Sequence, residues 1–257
     1  MEGSFPNFME GTNLAVTAVN QTTGQHNDGI PWSMAMVQAL ADVVLPRHCV
    51  NCGVWMLQES TPIPYCGLCA MHWPDLRGEM GRILMQERLA MPWGQVGFRL
   101  RESAFLEAQI RTIKYRGDRW LAWHWGRWLA IGCEDLPASM DALVLVPIPL
   151  HWRRKWDRGF NQAEWVARGV ASVLKAPVES RLLGRTSHGA SLTGMTRKER
   201  QRKLEGTYTM SDGRSTSPRK VLLVDDVLTT GTTFRMCAAA LEDSPHEVIG
   251  ALALALA

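Results

Sequence analysis

No lysine or arginine occurs among the first 46 residues, which carry Glu2, Glu10, Asp28 and Asp42 instead. On that absence no secretory leader is expected, since a leader needs a basic start ahead of an apolar stretch. Long hydrophobic runs are missing too: the terminal IGALALALA is far too short to span a bilayer. A cytoplasmic protein without a membrane span is therefore expected. Signatures of two nucleotide folds are also lacking, since no glycine loop is followed by a Walker A lysine and no GxGxxG turn occurs.

What is present is a chain of 257 residues, 46% hydrophobic, enough for one large domain with a small appendage. Its net charge of +3 divides unevenly, about −4 on the first 46 residues and about +7 on the rest. A modestly basic body permits phosphate ligands or nucleic acid without demanding either. Residues 1–30 are polar and aperiodic, as in a disordered tail. Over 31–47, Met36, Leu40, Val43 and Val44 recur at the spacing of an amphipathic helix that stops at Pro46.

Four of the six cysteines form a pattern. Cys49-x-x-Cys52 and Cys66-x-x-Cys69 have the spacing of two knuckles that close one tetrahedral four-cysteine site within a metal-binding module over 48–75. Gly53 and Gly67 are expected to make the tight turns. In a reducing compartment clustered thiols bind metal rather than pair. Structural zinc is the default occupant, and iron of the rubredoxin kind is the rival. Cys133 and Cys237 read as small buried hydrophobes.

The most informative run is VLLVDDVLTTGTT, Val221 to Thr233. Its four apolar residues read as a parallel strand covered on both faces, ending at Asp225 and Asp226. In an α/β sheet that carboxyl end is the ligand crevice. Thr229, Thr230, Gly231, Thr232 and Thr233 follow, a loop of amides, hydroxyls and one glycine opening a helix expected over 234–241. Such a helix start is an anion site. Two adjacent carboxylates in a dry pocket repel, so they need Mg²⁺ and sugar hydroxyls as partners. The whole resembles a phosphoribosyl diphosphate (PRPP) motif.

A strand is expected over 143–149, ended by Pro147 and Pro149. A basic loop with Arg153, Arg154, Lys155 and Arg158 follows, then a helix capped by Asn161 and beginning with Gln162. Placed beside the acid pair, this loop is suited to a diphosphate. Val96, Phe98 and Leu100 alternate as a strand. Leu106, Ile110 and Ile113 mark one helix and Leu121, Trp125, Trp128 and Leu129 another, with Gly117 and Asp118 between them. The tryptophans of the second helix are expected in packing rather than on a single base-stacking surface. The basic stretch 185–203, with Arg197, Lys198, Arg200, Arg202 and Lys203, reads equally as a mobile loop that closes over a diphosphate or touches a nucleic-acid backbone, or as a solvated helix.

Taken in order, the paired cysteine knuckles, Lys114-Tyr115-Arg116-Gly117-Asp118, VPIPLHWRR with RGFNQA, and VLLVDDVLTTGTT resemble the ComF/GntX family. The resemblance covers nearly everything after about residue 32. It implies an α/β, type I phosphoribosyltransferase-like domain over 95–257, a Rossmann-like parallel sheet flanked by helices, behind a zinc-ribbon-like module. It further implies that Asp225 and Asp226 hold ribose hydroxyls and Mg²⁺ and that 229–233 cradles the 5′-phosphate. Pro147, Arg153 and Arg154 would face the diphosphate, with Arg158, Asn161 and Gln162 nearby. One branch is associated with natural transformation, handling single-stranded DNA beside a helicase, and another with gluconate utilisation. Leu192 stands where relatives commonly have Gln, Lys203 where they have Asn, and Thr232 where a smaller residue is usual. Three functions fit: a PRPP-binding accessory protein of DNA uptake, an active phosphoribosyltransferase on a nitrogen nucleophile, and a scaffold that keeps the fold alone.

Overall fold

Four strands, all parallel, make the central sheet in the order Trp93–Arg99 (β1), Glu247–Leu256 (β6), Lys220–Leu228 (β5) and Leu143–Pro147 (β2). The computed structural model describes residues 48–49, 51–56, 65–71, 75–133, 136, 142–186, 207–211 and 217–257, which belong to one unit spanning Arg47–Ala257. The tail over 1–30, the helix over 31–47, and Leu192, Lys203 and the basic residues between them lie outside the described residues.

In chain order the elements are α1 (Gly67–Met71), α2 (Glu79–Leu89), β1 (Trp93–Arg99), a 3-10 turn (Leu100–Glu102), α3 (Ala104–Tyr115), α4 (Arg119–Ala130) and β2 (Leu143–Pro147). These are followed by α5 (Trp152–Arg158), α6 (Gln162–Leu174), β3 (Leu183–Arg185), β4 (Tyr208–Met210), β5 (Lys220–Leu228), α7 (Thr232–Ala239) and β6 (Glu247–Leu256). β3 and β4 form a separate antiparallel pair.

The uninterrupted apolar strands divide between two cores by their period of two. Leu143 and Leu145 of β2 and Leu222 and Val224 of β5 face one side, packing with Ile110, Ile113, Trp125, Leu129, Val166 and Val170 from α3, α4 and α6. Val144, Val146, Val221 and Leu223 face the other, against Met85 and Leu89 of α2 and Phe234 and Cys237 of α7. β1 was expected to alternate, yet both of its faces are covered. Its fully buried Gln95 explains how: the amide donates to the Leu76 and Val96 carbonyls at 3.4 and 3.0 Å and accepts from Gly78 N–H at 3.3 Å. A polar group can be buried at modest cost when it is so satisfied.

The two central helices start where their caps dictate. The Ser103 hydroxyl accepts from Leu106 N–H, and the Asp118 carboxylate from Leu121 N–H at 2.8 Å. α4 and α6 approach closely at Gly126 and Gly169. A Cβ on either would lie about 2 Å from a backbone oxygen of the partner helix, 2.1 Å from Val166 O and 2.0 Å from Trp123 O. Trp125 and Trp128 lie in the core as expected, and Trp120 is exposed. Cys133 and Cys237 are buried, and burial pushes both thiols up, Cys133 to about 12.

Candidate functional site

The site begins where β5 outlasts β2. Their register ends at Pro147 opposite Val224, after which Ile148 N–H bonds the Val224 carbonyl at 2.9 Å and the chain turns away. β5 continues to Leu228 with β6 alone beside it, Asp225 opposite Ala253 and Leu228 opposite Leu256. The acids were expected at the strand's end, but they sit inside it, because β6 supplies ladder partners four residues further than β2 does. Successive strand residues normally face opposite ways. Here both carboxylates line one cavity of about 240 Å³ along the edge that β2 has vacated.

The electrostatics of this edge are unbalanced. Lys114, at the end of α3, places Nζ 3.2 Å from Asp226 Oδ2. Asp225 Oδ1 accepts from Asp226 N–H at 2.8 Å. Burial, with the neighbouring Asp226 charge second, drives the Asp225 carboxyl well above the ordinary range, and that amide and Lys114 recover part of the shift. Among the described residues Lys114 alone is ion-paired to the acids, and a second cation would fit the arrangement.

The threonine loop is built for an anion. Gly231 takes φ +74° as the residue before α7, and a Cβ there would meet Leu89 Cδ2 at 2.5 Å. Both the left-handed backbone and the contact call for glycine. The Thr230 hydroxyl lies 2.9 Å from that of Thr232 and accepts from Thr232 N–H. Two arginines brace the loop from behind: Arg88 donates to the Thr229 carbonyl, and Arg235 donates to the Thr230 and Arg88 carbonyls at 3.1 and 2.8 Å.

Across the cavity the expected basic loop is a helix, α5. No apolar period announces it, because it buries none of its residues. It starts at His151, whose Nδ1 accepts from Arg153 N–H at 3.3 Å, and stops at Gly159 in the left-handed region. Arg154 and Arg158, one turn apart, line the cavity. Asn161 caps α6 through Ala163 N–H and donates to the Ile148 carbonyl at 2.9 Å, tying the helix start to the exit of β2. The Gln162 amide oxygen accepts from Arg158 at 3.1 Å, while its buried Nε2 has no partner among the described residues.

The four cysteines meet elsewhere. All four sulfurs lie within 4.8 Å of one another, and Cys52 and Cys66 are 3.7 Å apart. A tetrahedron with metal–sulfur bonds of about 2.3 Å has edges of about 3.8 Å, so this donor set can hold a metal such as zinc. Gly53 N–H closes the first knuckle on the Cys49 carbonyl at 2.8 Å; Gly67, expected in a matching turn, instead opens α1. Burial opposes the Cys49 thiolate, but amides of Cys52, Cys66 and Asn51 outweigh it and bring the thiol down to about 6. Tyr65 anchors the second knuckle: it is fully buried between Phe105 and Trp125, at 5.3 and 5.6 Å between ring centres, and donates to Gln109 Oε1.

No protein-family model matches the chain. Relatives do. Competence protein F of Haemophilus influenzae is 27% identical over 180 residues, covering 68% of this chain and 77% of its own. The DNA utilization protein YhgH of Escherichia coli K12 is 27% identical over 210 residues, covering 80% of this chain and 87% of its own, and the protein of the same name from Salmonella typhimurium matches equally. The chain is thus similar to proteins named for competence and for DNA utilization.

Within this fold, Asp225, Asp226, Thr229, Thr233, Arg154, Arg158, Asn161 and Gln162 share the cavity. Pro147 does not; it is buried in β2. Arg153 turns outward, its guanidinium 5.2 Å from the Trp152 ring, and Thr230, Gly231 and Thr232 shape the loop without lining the cavity. Lys114, Arg185 and Tyr208 line it without having been singled out as ligands. Lys114 had a signal, since an acid pair requires a cation and the KYRGD segment offered one. Tyr208, whose hydroxyl burial pushes up to about 12, had none. A larger cavity of about 550 Å³ adjoins at Pro149, Leu150 and Asn161, but has neither acid of the pair and none of the threonines. No helix of the described residues is long and apolar enough to cross a membrane.

Proposed function

We propose that this chain binds PRPP, or a ligand of the same shape, with Mg²⁺ in the acid and threonine cavity, and acts as an accessory factor of natural transformation that handles incoming single-stranded DNA. One observation carries the ligand: two adjacent carboxylates on an open strand edge, one holding its proton far above the usual range, stand three residues before a threonine loop that opens a helix. Asp225 and Asp226 would hold the ribose hydroxyls and the metal. Mg²⁺ supplies, when bound, the positive charge that lets both acids ionise together. The amides and hydroxyls of 229–233 would take the 5′-phosphate at the start of α7. Arg154 and Arg158 would face the diphosphate from α5, and Gln162 Nε2, without a partner among the described residues, would offer a donor to an acceptor oxygen there.

The DNA role is supported by the names of the relatives, competence and DNA utilization proteins. In this reading the four cysteines hold structural zinc in a module over 48–75, and 95–257 carries the ligand. The test is thermal unfolding with PRPP and Mg²⁺. Native protein should gain several degrees and Asp225→Asn/Asp226→Asn none; an equal gain in both would refute the assignment. Replacing the chromosomal copy by the double variant should lower the transformation frequency.

A second reading, transfer of the ribosyl group to a nitrogen nucleophile, is favoured by the larger cavity next door, which has room for an acceptor. Diphosphate release from PRPP that needs both an added acceptor and Asp226 would select it.

A further inference from the structure

The helix α5 has two faces, and the cavity uses one of them. At about 100° per residue, Arg154 and Arg158 lie about 40° apart on one side. Trp152 and Trp156 lie about 40° apart on the other, with Lys155 on one flank and Arg153 on the opposite flank. Nothing covers this second face among the described residues: Trp152 is 55% and Trp156 84% exposed, and no residue of the helix is buried. The Trp156 ring has no ring or cation neighbour among the described residues, whereas Trp152 is stacked on His151 at 5.8 Å and 30°. Two largely exposed tryptophans one turn apart on a protein surface need an explanation, since their burial elsewhere would stabilise the fold.

We infer that the outward face of α5, Trp152 and Trp156 flanked by Arg153 and Lys155, is a stacking platform for single-stranded nucleic acid. The chemistry is complementary in both parts: indole faces accept any base, and the interleaved cations meet the phosphates between bases. The cationic ground continues past the helix. Arg153, Arg154 and Arg185 all lie close enough to His151 to push its imidazole down, after a contribution from burial. Arg158 lies over the Tyr115 ring at 5.7 Å, and Tyr115 is itself 76% exposed. An apolar protein partner would not need four basic residues among the helix's seven, and a duplex would hide the base faces that tryptophan stacks on. The inference rests on the DNA half of the proposed function and not on the PRPP half, because neither tryptophan lines the cavity.

The test uses the full-length protein and a fluorescein-labelled oligothymidylate of about 20 nucleotides, read by anisotropy. Trp156→Ala should weaken binding about ten-fold, Trp152→Ala/Trp156→Ala further, and Trp156→Phe should restore most of the loss. Arg153→Ala/Lys155→Ala should flatten the slope of log affinity against log salt by about 1.4, two phosphate contacts at about 0.7 each. The tryptophan variants should keep the native unfolding temperature and the native response to PRPP with Mg²⁺, since both side chains are exposed and neither lines either cavity. Unchanged oligothymidylate affinity in the double tryptophan variant overturns the inference, even if DNA binds elsewhere on the protein. So does tighter binding of the same face to polyglutamate or to anionic vesicles than to the oligonucleotide, which would make it a protein or membrane contact.

Discussion

The cysteine cluster and the acid cavity are both gatherings of groups that repel when charged, yet they are held in opposite ways. The cysteines are carried by two short knuckles, with Cys49 and Tyr65 buried, and their sulfurs gather within 4.8 Å of one another outside the sheet. The acids are fixed by a central strand with β6 along its whole length, so their repulsion is forced on the ligand-free protein. A metal at the first site would be part of folding. A ligand at the second would relieve a strain the fold already tolerates.

The largest expected effect therefore lies at the knuckles. Cys52→Ser/Cys66→Ser, or exhaustive chelation, should release one metal per chain by elemental analysis and unravel the segment, removing much of a binding free energy of roughly 10–16 kcal/mol. The sheet should survive, visible as retained far-ultraviolet dichroism. Tyr65→Ala should cost about 3–5 kcal/mol in denaturant unfolding through the emptied space between Phe105 and Trp125. Tyr65→Phe, which orphans the Gln109 carbonyl oxygen, should cost about 1–3 kcal/mol.

The acid cavity should respond with the reverse sign. Because the folded chain holds the Asp225 proton more tightly than the unfolded one, the contribution of this group is complete below about pH 4 and is lost as pH rises through the elevated folded value. Each unit of elevation costs about 1.4 kcal/mol once the carboxyl ionises. Asp225→Asn should thus raise the unfolding temperature of ligand-free protein at neutral pH and flatten its pH dependence. A drop at neutral pH would mean that the ionised carboxylate is already compensated. Smallest is Asn161→Ala, about 1 kcal/mol from the lost cap of α6, with weaker PRPP response because the loop from Ile148 is no longer tied down.

Much of this comparison could be read from the chain. Apolar residues at helical spacing announced α3 and α4, and the run VLLV announced a strand covered on both faces. The Cys-x-x-Cys spacing announced four converging sulfurs. What stayed hidden was decided by distant partners. The acids lie within β5 because a strand more than twenty residues later pairs with them. α5 has no apolar stripe to betray it, since it buries nothing. Arg88 braces Thr229 across 141 residues of sequence, and Tyr208 reaches the cavity from a short strand of three residues. Local pattern reveals a group's own surroundings; it does not reveal who arrives from elsewhere in the chain.

Calorimetric titration of PRPP into native protein and into Asp225→Asn/Asp226→Asn, each with and without Mg²⁺, tests the central claim most directly. The account predicts saturable binding at one ligand per chain that requires both the metal and the acids. Binding that persists in the double variant, or that ignores Mg²⁺ in the native protein, would contradict it.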